Sequence, residues 1–158
     1  MMILNRLTLS RFILEQGIQA EILPLAAETP TVAAAAAVMG VSPDQIIKSV
    51  LFLADGAPVL VVTNGLARIA WKRLADYLGV PRRRLKTAVA DQVLALTGYP
   101  VGAVPPFGHL TSWRTVVDTA VYDQSIVYGG GGETHALMRL TTAELRRVVG
   151  HEAADLSE

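Results

Sequence analysis

Four groups of residues could do chemistry. Lys48 interrupts the β-branched and apolar run at residues 46–53, and by strand alternation it shares a face with Ile46, Val50 and Phe52. A charge there is costly unless it opens into a cleft or meets an anion; the plainer alternative is a lysine snorkelling at the strand entrance or guarding a sheet edge. The segment Gly102-Ala103-Val104-Pro105-Pro106-Phe107-Gly108 joins fixed proline dihedrals to glycines that permit close backbone approach. Such a loop can aim amide donors at an oxyanion, or it is an ordinary Pro/Gly connection. Gly129-Gly130-Gly131-Gly132, followed by Glu133-Thr134-His135, forms either a cradle beside a substrate or a flexible hairpin turn. Between Arg68 and Lys86, seven basic residues (Arg68, Lys72, Arg73, Arg82, Arg83, Arg84, Lys86) stand against one acid, Asp76, which leaves the rest of this neutral chain at net −6. That segregation suits a phosphodiester backbone or a solvated basic helix face.

Other chemistries are refused. The chain has no cysteine, which removes disulfides, thiolate-bound zinc, iron–sulfur clusters and a thiol nucleophile. It carries no P-loop, no Gly-x-Gly-x-x-Gly, no Gly-x-Ser-x-Gly elbow and no His-Glu-x-x-His, so common nucleotide, serine-hydrolase and zincin mechanisms have no anchor. His109, His135 and His151 are scattered without ligand spacing, and neither a metal nor a cofactor is expected.

The positioning elements can be read from caps, periodicity and turn residues. The 158 residues, 51% hydrophobic and 18% charged, suit one compact domain. Residues 4–16 have loose helical spacing that Gly17 can end, and residues 18–25 look extended. Thr31 can cap a helix through the alanine run at 33–37, with Gly40 as its stop. Ser42-Pro43-Asp44-Gln45 has capping-box form and delivers the chain into a buried strand at 46–53, which Asp55-Gly56 pairs with a second at 58–63. Helices are expected at 69–78 and 88–96, the latter capped by Thr87. Strands are expected at 115–117, 125–128 and 135–140, and a second capping box at Thr141–Glu144 opens a last helix to Val149. The acidic tail from His151 is expected to fray. Residues 92–113 carry no Asp, Glu, Lys or Arg but are broken by three prolines and three glycines, so they cannot form a membrane helix. The start lacks a signal-peptide pattern, and a cytoplasmic location is expected. With no fixed repeat and no βαβ regularity, the pattern is α+β rather than doubly wound.

Taken together, these positions resemble the YbaK/EbsC family of free-standing aminoacyl-tRNA editing proteins, related to the editing domain inserted in bacterial prolyl-tRNA synthetases. The resemblance runs roughly from Thr29 to Val149. It is carried by Thr31 to Ala34 with Met39-Gly40-Val41, by Gln45-Ile46-Ile47-Lys48-Ser49-Val50-Leu51-Phe52, by Leu96-Thr97-Gly98 through Gly102 to Gly108, and by Val116-Val117-Asp118 followed by the glycine run. It implies a single domain with a central mixed, barrel-like β-sheet flanked by helices, a core at about residues 29–150 and an acidic tail at 151–158. The chain departs from the family at Gly102-Ala103, where Gly-Gly is more usual.

The resemblance also implies a function, hydrolysis of the ester joining a wrong amino acid to the terminal ribose of tRNA, with alanyl- or cysteinyl-tRNA(Pro) foremost. Lys48 matches the family's essential lysine, which would hold the terminal phosphate or orient the substrate, and Gly102 matches the loop glycine that places water and stabilises the oxyanion. Thr31, Ser49, Pro105, Phe107, Gly108, Asp118, Gly131 and His135 would border the substrate; Gly131 and His135 fit the Gly-x-x-x-His pattern of alanyl-editing members. Lys72, Arg73, Arg82, Arg83, Arg84 and Lys86 would meet the tRNA acceptor end. The partners implied are mischarged tRNA and an aminoacyl-tRNA synthetase, with no membrane. A non-catalytic tRNA- or nucleotide-binding module, or a synthetase-associated subunit of the same fold, is the alternative. Editing is needed because one methylene in an apolar pocket discriminates by only about 1–3 kcal/mol.

Overall fold

The computed structural model describes residues 2–29 and 31–158, and local signals account for most of its element boundaries. Helix α1 (Arg6–Glu15) begins where the Asn5 side chain accepts from the Leu7 and Thr8 amides, while Thr8 Oγ1 accepts from the Asn5 N–H at 2.8 Å. It buries Leu9 and Ile13 and leads to strand β1 (Ala20–Pro24). Thr31 Oγ1 accepts from the Ala34 amide at 3.0 Å to open α2 (Val32–Met39), which left-handed Gly40 ends at φ +67°. Ser42 caps a single 3-10 turn, Pro43–Gln45, before β2 (Ile47–Ala54). Asp55 and Gly56 both have positive φ, +49° and +86°, the signature of the two-residue type I′ turn whose twist matches its flanking strands. That turn fixes the register of β2 against β3 (Ala57–Asn64) and so sets Lys48 opposite Thr63.

The chain continues through α3 (Trp71–Leu78), a 3-10 turn at Arg82–Arg84, β4 (Leu85–Thr87) and α4 (Ala90–Thr97). After a long irregular segment come β5 (Arg114–Asp118), a 3-10 turn at Thr119–Asp123, β6 (Ile126–Gly130), β7 (Ala136–Thr141), α5 (Thr142–Val149) and β8 (Ala153–Ala154). The strands form two sheets. One is mixed, in the order β4-β2-β3-β5-β8; the other is antiparallel, in the order β1-β7-β6. They meet at a parallel bridge between Ile46 and Tyr128. The inward residues of β2 and β3, Ile47, Leu51, Leu60 and Val62, pack with Val117, Val127, Met138, Tyr99, Phe107 and Leu9 in the main core. The opposite face, Phe52, Val59, Val61 and Val116, is covered by Leu74 and Ala75 of α3 and by Leu156. Lys48 lies on that second face by alternation.

Several expectations need correction. The expected mixed sheet is present, with a second sheet beside it. Thr87 does not cap α4 but ends β4; Val89 holds the cap position, its N–H donating to the Gln92 side chain at 2.9 Å. The capping box at 141–144 is only half made. Thr141 accepts from the Glu144 amide, but the Glu144 carboxylate turns to the Gln19 N–H and to Arg147. Gly129 and Gly130 are strand residues paired with Met138 and Leu137, not a flexible turn. The tail is not frayed. β8 pairs in parallel with β5, Ser157 bridges Ile69, and Leu156 is wholly buried. A fully buried leucine contributes about 1.5–3 kcal/mol, enough to hold a short tail down. The core also reaches outside residues 29–150, through Leu9, Ile13 and Ile18 as well as Leu156. No helix among the described residues is long and apolar enough to cross a membrane.

Candidate active site

Lys48 stands near the start of β2 and is exposed. It forms part of the walls of two cavities. The smaller, about 140 Å³, lies between α2, the start of β2 and the glycine strand β6, and brings Lys48 together with Thr31, Gly102, Gly129, Gly130 and Thr134. Val32, Ala35, Ile46 and Leu137 supply its apolar surface. No carboxylate lies within ion-pair distance of the Lys48 ammonium among the described residues.

Gly102 has φ +89°, and its N–H has no acceptor among the described residues. Ala103 closes the turn instead, donating to the Pro100 carbonyl at 3.0 Å. A backbone donor left free beside a cation in one small cavity is a ready receptor for an oxyanion. Gly102 also borders a second small cavity of about 130 Å³, where Ser49 is the one polar side chain among Val50, Leu51, Val93, Val101 and Val104.

The remaining candidates divide. Thr31 lines the Lys48 cavity while its hydroxyl oxygen caps α2. His135 is exposed beside that cavity, between lining residues Thr134 and Ala136, with Nε2 at 3.9 Å from the Glu28 carboxylate. Gly131 is off the wall; a Cβ there would come within 2.7 Å of the Ala136 carbonyl carbon, so its smallness serves packing. Pro105, Phe107 and Gly108 are also away from Lys48. The Pro105 carbonyl accepts from His109 Nε2 at 2.7 Å, and Phe107 stacks on Phe12 at 6.1 Å between ring centroids. Phe107 and Gly108 border a separate cavity with Trp113. Asp118 is fully buried at the end of β5, where Oδ1 accepts from the Leu156 N–H at 3.4 Å; it anchors the tail and borders neither Lys48 cavity.

The basic segment is partly spent on internal pairs. Lys72 binds Asp76, Arg73 binds Asp155 and Arg84 binds Asp55, each at 3.0 Å. Arg82 stacks its guanidinium 4.3 Å above Trp71. Lys86 pairs with Leu53 in the ladder and so lies on the sheet face opposite Lys48. Arg83 has no carboxylate partner among the described residues. Gly129, Gly130 and Thr134 belong to the segment that the sequence offered as a cradle or a turn, without being singled out as site residues; Ala35 was missed as a lining residue. The alanine run was visible as a close-packing surface, but nothing local said what it packs toward.

Residues 26–148 match the aminoacyl-tRNA editing domain family. The chain belongs to that family. The editing domain is also 35% identical over 116 residues to proline–tRNA ligase from Nitratidesulfovibrio vulgaris strain DP4, covering 69% of this chain and 20% of the ligase. It thus spans about a fifth of the length of that relative. A second relative, the uncharacterized protein YwhH of Bacillus subtilis strain 168, is 33% identical over 73% of this chain and 72% of its own length. Among solved structures, one provisionally assigned as a trans-editing enzyme for prolyl tRNA synthetase superposes with a TM-score of 0.90 at 30% identity. The match covers 97% of this editing domain and 96% of that chain.

Proposed function

We propose that the protein is a free-standing aminoacyl-tRNA deacylase that hydrolyses the ester of mischarged tRNA, alanyl- or cysteinyl-tRNA(Pro) foremost. The observation that carries this reading is that Lys48 and Gly102, whose N–H has no acceptor among the described residues, line one small cavity. Lys48 holds the phosphate of the terminal nucleotide, which places the ester carbonyl toward Gly102. Water attacks the carbonyl carbon, and the charge that develops on its oxygen is taken by the Gly102 N–H. The bond to the ribose oxygen then breaks, that oxygen receives the proton surrendered by water, and free amino acid leaves. A donor of this kind is worth about 2.7–4 kcal/mol in the transition state. The ester is already activated, so the chain's own side chains need supply no nucleophile. A cavity of about 140 Å³ walled by Val32, Ala35 and Ile46 favours a small side chain.

The test is incubation of purified protein with alanyl-, cysteinyl- and seryl-tRNA beside Lys48→Ala. Ester loss with wild type, at least tenfold slower with the variant, is expected. Inert wild-type protein across the panel would defeat the catalytic reading and favour a binding module.

A further inference from the structure

The second cavity on the Lys48 wall has no part in the reaction just described, yet at about 440 Å³ it is the larger of the two. Its floor is apolar, formed by Val50, Phe52, Ile69 and Trp71. Thr63, Thr87 and a second cation, Arg68, also line it. Thr63 is only 1% exposed, which leaves Thr87 as the hydroxyl residue with exposed surface on this wall, beside Lys48 and Arg68. Arg68 is exposed and, like Lys48, has no carboxylate partner among the described residues. This contrasts with Lys72, Arg73 and Arg84 nearby in sequence, all of which are paired. Behind Trp71 lies the Arg82 guanidinium. The one acid on the groove among the described residues is Glu158, held there by its N–H donating to the Arg68 carbonyl at 2.9 Å.

Two cations with no carboxylate partner among the described residues, set around apolar side chains, select a ligand that is anionic and also carries flat apolar surface. A lone phosphate would leave the apolar side chains bare, and an acidic peptide would need an aromatic side chain placed beside its carboxylate, whereas a nucleotide joins phosphate and flat base in one unit. A single-stranded nucleotide meets both demands. We infer that this groove binds the phosphodiester and sugar–base unit on the 5′ side of the esterified nucleotide, with Arg68 as a phosphate contact and Glu158 opposing it. The inference rests on the deacylase reading for the orientation of the strand, with Lys48 marking the junction between the two cavities.

The experiment is equilibrium binding of the trinucleotide CCA, with adenosine as a phosphate-free probe, followed by Trp71 fluorescence in a Trp113→Phe background. The trinucleotide should perturb Trp71. Arg68→Ala should weaken its binding about tenfold and lower the salt slope by about 0.7, the value for one single-strand phosphate contact. Arg68→Lys should restore most of the affinity, Glu158→Gln should tighten binding, and adenosine should be insensitive to Arg68. Arg68 makes no side-chain hydrogen bond or ion pair among the described residues, and thermal melting confirms that each variant is folded. Trinucleotide affinity indifferent to Arg68, an equal loss for adenosine, or a silent Trp71 would overturn the inference. An active deacylase with an Arg68-insensitive trinucleotide sinks this site alone, whereas Arg68-dependent binding by an inert protein sinks only the catalytic reading.

Discussion

Gly130 lies so close against the Val104 carbonyl that a Cβ there would overlap it and would also stand 2.9 Å from the Ala103 carbonyl carbon. Together with the 3.0 Å bond from the Gly132 N–H to the Ala103 carbonyl, this contact makes the glycine strand the bed on which the Gly102 loop rests. Gly130→Ala must push that loop outward or distort β6. A loss of about 1–3 kcal/mol is expected, as for other overpacked sites, and deacylation should fall further than the folded fraction. Urea melts beside single-turnover hydrolysis measure both. Gly79→Ala is the control. Gly79 sits at φ +73°, so the change strains the backbone, but its Cβ would meet nothing within 4 Å, and activity per folded molecule should stay at the wild-type level.

Gly102 presents the opposite case. A Cβ would meet nothing within 4 Å, but φ is +89°, a conformation that L residues adopt only under strain. Gly102→Ala should therefore act through the backbone, at about 1–3 kcal/mol, by turning the N–H away from the cavity. The expected signature is a fall in kcat of at least tenfold with KM little changed, since the nucleotide contact proposed for Lys48 is left in place. Steady-state kinetics giving a pure KM effect would remove Gly102 from the chemistry.

The elements were legible wherever a cap and a stop bracket them. Thr31 with Gly40, Ser42 with Gln45 and Asp55-Gly56 all act within a few residues of themselves. What depended on distant partners was not legible. The tail reads as a fraying acidic end because Leu156 is one apolar residue among acids, and its burial needs a slot built by Asp118 and Val116. Counting charges between Arg68 and Lys86 could not reveal that Asp55 and Asp155 arrive from elsewhere to neutralise Arg84 and Arg73. Proline and glycine content flagged the loop at residues 102–108, but composition does not say which residues face inward; Phe107 and Pro105 turn to the core while Gly102 turns to the cavity.

The same loop carries a pH dependence. The Pro105 carbonyl can only accept, so His109 Nε2 carries the hydrogen in their 2.7 Å bond. Burial pushes the His109 pKa below its ordinary 6.5, against a smaller upward pull from that carbonyl. The unfolded chain thus binds a proton at a pH where the folded one does not. The His109 contribution to stability is whole above pH 6.5 and is lost as pH falls below it. His109→Gln keeps an N–H donor and abolishes the titration, so the fall in melting temperature from pH 7 to about pH 5.5 should be shallower in the variant. Parallel curves for the two proteins would assign the acid sensitivity elsewhere.

Glu144 governs a lower window. Its carboxylate accepts from Arg147 Nε and from the Gln19 N–H, each at 2.6 Å, tying the start of α5 to the turn before β1. Chiefly the Arg147 bond, and then the Gln19 bond, hold its pKa down from 4.5 to about 2. A depressed carboxylate contributes stability that is complete above the unfolded value and drains away as pH falls through the folded one. The Glu144 share is therefore intact at neutral pH and disappears between about pH 4.5 and pH 2. Glu144→Gln should flatten the acid limb of the stability curve in that window and leave the descent below pH 6.5 in place, because that descent belongs to His109. Added salt should weaken the wild-type effect only in part, since the Glu144 side chain is 12% exposed while its arginine partner is 55% exposed. Chemical denaturation of wild type and Glu144→Gln across pH 2–7 gives the measurement. An unchanged slope between pH 4.5 and 2 would show that this tie between α5 and Gln19 does not stabilise the fold.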